Sequence, residues 1–226
     1  FQMFALSGVV WVWCFRKWYR DPSDAERSTL LLPGALQVLE KQTFPWKKLV
    51  TSKAVLLLWV QYFAVSWGWS FYITWLPTYV QQERAANIEQ SAWLSALPLF
   101  FGGFGCLAGG AAIPFLTRIM TNRDAARAVI AAVGCACSGL FLIASLHISG
   151  AFGALVIVGV ASFFNDLALA PAWDACMDAG PYTGSVSGSM NMMGNLAGSA
   201  APPSIGYLLS ISGHNWNFVF YLSASF

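Results

Sequence analysis

In 226 residues, hydrophobic side chains make up 57%, charged ones only 10%, and the net charge is +2. An ordinary soluble domain carries roughly 25% charged residues, so this chain lacks the surface that water would demand and lipid must stand in its place. The few basic residues are gathered into loops and form no surface for nucleic acid.

The first apolar run, 1–15, reads as part of a membrane-spanning helix. The stretch 16–53 holds eight of the twelve basic residues (Arg16, Lys17, Arg20, Arg27, Lys41, Lys47, Lys48, Lys53), together with Pro22, Pro33 and Pro45. It reads as a linker with one short interfacial helix over 30–39. Five full spans follow at about 54–80, 92–116, 127–147, 151–175 and 186–211, each near the ~20 residues that a bilayer core requires. A last partial span covers 216–226. The chain starts at Phe1 without Met and stops inside an apolar run, and is expected to be a fragment.

Basic residues mark cytoplasmic loops. The loop 117–127 carries Arg118, Arg123 and Arg127, so it and the linker are placed inside with eleven of the twelve basic residues. The segments 81–91, 148–150 and 212–215 are then outside, with only Arg84 against the rule. The loop 177–185, with Asp178 and no basic residue, is the weak point. His147 and His214 fall at outer ends, and neither has ligand-spaced neighbours. Cys14, Cys106, Cys135, Cys137 and Cys176 lie in or beside apolar runs without zinc spacing and read as packing residues. No metal, cofactor or catalytic constellation is expected, since Gly103-Phe104-Gly105-Cys106-Leu107-Ala108 only mimics a dinucleotide fingerprint without a preceding strand.

Six prolines, Pro77, Pro98, Pro114, Pro171, Pro202 and Pro203, lie in or near spans, as in transporters whose helices break around a site. Gly102, Cys106 and Gly110 on one stripe, and Gly105 and Gly109 on the next, predict close helix packing. Polar residues inside spans are costly there and mark cavities or partners. Gln61, Val65, Gly68, Tyr72 and Trp75 share one stripe, on which Gln61 and Tyr72 could bond either a ligand or a neighbouring helix. Asp166 sits deep beside Asn165 and on one face with Ala170 and Trp173. It reads as a proton carrier or, the favoured reading, as a structural acceptor tying its helix to a neighbour. Ser187, Asn191, Asn195 and Gly198 line a further stripe ahead of Pro202-Pro203. This suggests a cavity wall, with Asn191 toward substrate and Asn195 toward a neighbouring helix.

The run Phe71-Tyr72-Ile73-Thr74-Trp75-Leu76-Pro77-Thr78-Tyr79 resembles the seventh-helix motif of the anion:cation symporters of the major facilitator superfamily. The run Ala172-Trp173-Asp174-Ala175-Cys176-Met177-Asp178, then 184–188 and Met190-Asn191-Met192-Met193-Gly194-Asn195, resembles their helix 10–11 region. The likeness covers the whole chain. It implies an all-α polytopic bundle, the C-terminal six-helix half of a twelve-helix transporter. The end of helix 6 would lie at 1–15, the central loop at 16–53, and helices 7 to 11 with the start of 12 at 54–226. By position, Gln61, Trp173 and Asn191 match substrate-contacting residues of sugar-acid members. The chain departs from the pattern where Pro114 and Phe115 stand near the usual Asp-Arg pair of the loop between helices 8 and 9. It departs again at Ala170 and Ala172, where some members carry hydroxyls.

The resemblance implies proton-coupled symport of a small organic anion, such as a hexuronate or aldonate, by alternating access. Gln61, Tyr72, Trp173, Asn191 and Asn195 would contact the substrate, in a monomer of the plasma or bacterial inner membrane. The alternatives are an efflux transporter of the same fold and a membrane-embedded enzyme, for which Asp166 alone supplies no machinery.

Overall fold

A backbone in lipid must satisfy its own polar groups, so apolar runs of this length fold as helices. The computed structural model describes residues 2–21, 23, 26, 46–84 and 87–226; the helix expected over 30–39 lies outside them. The chain divides into two compact units, Phe1–Phe44 and Pro45–Phe226. In the first, α1 (Gln2–Trp18) carries a ring stack in which Phe15 lies 5.1 Å from Trp11 and 4.4 Å from Tyr19.

The second unit is a helical bundle. A short α2 (Trp46–Thr51) leads into α3 (Lys53–Thr74) and α4 (Leu76–Glu83), which together make up the first full span. They break at Trp75, because Pro77 has no N–H to give the carbonyl of Ile73. Then come α5 (Ile88–Met120) and α6 (Arg123–Ala144), each opened by an Asn side chain that accepts a backbone N–H. At 33 residues α5 is about 50 Å long, well beyond the ~30 Å hydrocarbon core. It passes through Pro98 and Pro114 unbroken. The next span breaks at Ala168 into α7 (Ala151–Leu167) and α8 (Leu169–Met177), ahead of Pro171. It is followed by α9 (Thr183–Ile211), continuous through Pro202 and Pro203, and α10 (Trp216–Ala224).

Among the described residues, four segments are long and apolar enough to cross a membrane: Lys53–Thr74, Ile88–Met120, Arg123–His147 and Ala151–Met177. The fifth expected span, α9, has the length at 29 residues, but Ser, Asn and Gly along one side make it more polar. The outward surface is apolar, with Leu57, Trp93, Leu107 and Leu140 each about 70% exposed.

The helix ends fall into two sets. At one end Arg84, the basic residue that opposed the charge rule, donates to the carbonyls of Ile148 (2.6 Å) and Ser149 (3.2 Å) and to the Tyr79 hydroxyl (3.0 Å). It thus joins two loops predicted to share a side. Beneath it lies an aromatic core: Phe71 packs edge-on to Phe220 (5.2 Å), and Tyr79 contacts both Phe220 (4.8 Å) and Trp216 (5.4 Å). Small residues bring α5 against α7. The stripe that does so is Gly102, Gly105 and Gly109, where added Cβ atoms would collide with Asp166 and with the carbonyls of Phe163 and Leu167. Gly110 looks into open space and Cys106 is half-buried, so the expected Gly102-Cys106-Gly110 stripe is not the contact.

Candidate functional site

Helices α3 and α9 run side by side, stitched by two indole N–H groups. Trp59 donates to Ser189 Oγ (3.1 Å) and Trp75 to the Pro202 carbonyl (3.2 Å). Between these ties Gly194 lets α3 come close: a Cβ there would lie 2.5 Å from the Tyr62 ring and 2.8 Å from Ser66 Oγ. Beside this contact opens a concavity of about 260 Å³, bordered by Tyr62, Ser66, Trp69, Ser70, Asn191 and Asn195. Its polar groups are neutral hydroxyls and amides. Further along α9, Pro202 and Pro203 deprive the carbonyls of Gly198 and Ser199 of their helical N–H partners.

The Asn191 side chain is exposed on this wall and makes no hydrogen bond among the described residues. Asn195 also borders the concavity, but its Nδ2 donates to the Asn191 carbonyl one turn back (2.9 Å). The expected bond from Asn195 to a neighbouring helix is therefore replaced by one within α9, because an exposed amide finds its own backbone nearest. Trp173 is about one-third exposed and meets the edge of Tyr62 at 6.0 Å, behind the residues that border the concavity.

Two expected site residues turn elsewhere. Tyr72 is 3% exposed, packed against Phe71 in the core, because the stripe from Val65 to Tyr72 faces the other helices. The stripe that faces the concavity lies one residue further on, at Tyr62, Ser66 and Trp69. Gln61 borders a separate cavity of about 490 Å³ near Arg127 and Asp178. Its Nε2 donates to the Ala168 carbonyl at the α7–α8 break (2.9 Å), so it satisfies a backbone group beside the kink. Gln61 and Trp173 thus do not meet across one cavity.

Asp166 is fully buried. Trp69 Nε1 donates to its Oδ1 at 2.6 Å, and Asn165 Nδ2 gives a second bond at 3.2 Å while also reaching the Val65 carbonyl (3.3 Å). The Trp69 indole thereby joins the carboxyl to α3.

At the other end from Arg84 lies an ion network that the sequence reading did not assemble. Arg127, 8% exposed, donates to Asp174 (2.7 Å), Asp178 (2.5 Å) and Asp124 (3.0 Å). Arg123 grips Asp174 with two bonds, at 2.6 and 3.0 Å. Asp178, the residue that weakened the charge rule, is paired here. Opposite charges at the start of one span and the end of the next were the available signal.

A helical bundle with an apolar outer surface, two proline-broken spans and a neutral polar concavity between adjacent helices is the build of a membrane transporter. Residues 1–202 match the Major Facilitator Superfamily, and the chain belongs to that superfamily of multi-pass transporters, which are not enzymes. Among its relatives are the "Probable sulfoacetate transporter SauU" of Cupriavidus necator, 32% identical over 76% of this chain and 40% of that protein, and the "Hexuronate transporter" of Bacillus subtilis, 26% identical over 94% and 51%. The "Probable small intestine urate exporter" of Mus musculus is 31% identical over 81% and 38%. The chain thus spans about half or less of each of these relatives' length.

Proposed function

We propose that this chain is the C-terminal half of a secondary transporter that moves a small organic anion together with protons by alternating access. In this reading α1 ends the sixth helix, 16–53 is the cytoplasmic central loop, and 54–226 holds helices seven to eleven and the start of twelve. The protein would work as a monomer in the plasma or bacterial inner membrane. The observation that carries the reading is the concavity between α3 and α9, whose lining offers hydroxyls and amides but no charge. Such a wall suits the hydroxyl-bearing side of a sugar acid, whose carboxylate would be met by the other half of the transporter. Relatives named for hexuronate and sulfoacetate support an anionic cargo.

Asn191 is the residue assigned to substrate, with Asn195 Oδ1, Tyr62 and Trp173 shaping the same wall. In the full-length protein reconstituted in vesicles, Asn191→Ala should weaken apparent affinity for labelled hexuronate or sulfoacetate about tenfold, the cost of one hydrogen bond to a bound ligand. Thermal stability should be unchanged, because the Asn191 side chain bonds no described residue and its carbonyl survives the substitution. Equal affinity in the two proteins would sink the assignment. The likeness to a urate exporter favours a second reading in which net flux runs outward. Uptake into right-side-out and inside-out vesicles under one proton gradient separates the two.

A further inference from the structure

We propose that Asp166 is a proton-binding site, with the proton on Oδ2, and that Trp69 gates it from the concavity. The inference rests on the reading of the chain as a proton-coupled transporter and locates one proton site within this half.

The two carboxyl oxygens live in different surroundings. Oδ1 takes both available donors, the indole of Trp69 and the amide of Asn165. Oδ2 is buried and has no hydrogen-bond partner among the described residues. An ionised carboxylate with one oxygen unmet and no cation beside it is expensive away from water. No ion pair reaches Asp166 among the described residues. The titratable side chains that face it are Tyr72 from α3 and Cys106 from α5, and neither supplies a positive charge. Ser162 stands nearby on α7, one turn back. A hydrogen on Oδ2 removes the charge without disturbing the two bonds to Oδ1.

The space admits a proton and excludes a larger ion. Gly102 of α5 lies so close that a Cβ would collide with Oδ2, and the same Cβ would stand 3.1 Å from Ser162 Oγ. A metal ion needs room for several oxygen ligands, which this contact does not leave.

Trp69 connects the site to the outside. Its ring borders the concavity that holds Asn191, and its N–H ends on Asp166. With the indole in place the carboxyl is sealed. If the ring turns toward a bound substrate, Oδ1 loses its shortest bond and water in the concavity reaches the carboxyl. A proton then passes between that water and Oδ2, leaving a carboxylate on one side of the step and a carboxylic acid on the other. Trp69 is a positioning residue here, since its indole exchanges no proton.

The test uses the full-length transporter. Infrared spectra of purified wild type should contain a protonated-carboxyl band that is absent from Asp166→Asn, and Trp69→Phe should keep that band to higher pH because the anion has lost a donor. In vesicles with labelled hexuronate and sulfoacetate as probes, Asp166→Asn should retain substrate exchange and lose accumulation driven by a proton gradient. The proposal is overturned if wild type lacks the band, if Trp69→Phe leaves its pH response unchanged, or if Asp166→Asn accumulates substrate like wild type. Wild type that shows the titrating band yet accumulates neither probe would instead refute the symport reading and leave the proton site standing. Should Asp166→Asn fail to fold, the wild-type band and its response to Trp69→Phe decide the matter.

Discussion

Asp166 and Asp174 lie on the same broken span, eight residues apart, and are held in opposite ways. Asp174, near the end of α8, takes both Arg123 and Arg127, with bonds of 2.6 to 3.0 Å. Asp166, in the middle of the bundle, has an indole and an amide on one oxygen and, among the described residues, no partner on the other. A long basic side chain at a helix end can bring its charge to a carboxylate while its stem stays in apolar surroundings. No such side chain reaches mid-bundle at tolerable cost. A carboxyl is therefore met by cations at the end of the span and by neutral donors at its centre.

The sharpest way to break this contrast is Arg127→Ala. It strips a buried guanidinium from three carboxylates and should lower the stability of the detergent-solubilised full-length protein by about 3 kcal/mol, the low end for breaking a buried pair because Asp178 is half exposed. A loss below about 1 kcal/mol, as for a surface pair, would show that the network is solvated and that the two regions do not differ as described.

Next comes the packing that buries Asp166. Gly105→Val meets the Phe163 carbonyl and must push α5 from α7, at about 1–3 kcal/mol. Gly110→Val, facing open space, should fall within ~0.5 kcal/mol of wild type. Equal melting shifts for the two would mean that the glycine stripe does not set the helix separation.

Arg123→Ala should cost less than Arg127→Ala, since Arg123 is half exposed and Asp174 keeps Arg127. High salt should shrink that cost and leave the Arg127→Ala loss nearly unchanged. The smallest effect belongs to Gln61→Leu, which removes one interhelical bond worth about 0.6 kcal/mol. If this variant kept its stability but lost substrate affinity, Gln61 would regain the ligand role that its geometry here denies it.

The sequence by itself determined that this is a multi-span membrane bundle, because length and hydropathy are local properties that lipid reads residue by residue. It also located both helix breaks, since Pro77 and Pro171 act on carbonyls four residues away in the same helix. It could not tell which prolines a helix would absorb: Pro98, Pro114, Pro202 and Pro203 stay inside continuous helices. The deep carboxyl of Asp166 and the amide wall of Asn191 were legible as polar residues in apolar runs. Their partners were not. Periodicity groups Gln61 with Tyr72 on one stripe of α3, yet says nothing of which neighbour that stripe meets. Only tertiary packing decided that Tyr72 faces the core, that Gln61 serves the carbonyl of Ala168, and that Trp69, one position past Gly68, joins the concavity to Asp166. A side chain's face follows from its own helix, whereas its partner depends on how separate helices are rotated against one another. Contacts over about a hundred residues, such as Trp69 with Asp166 and Asn165 with Val65, set that rotation here.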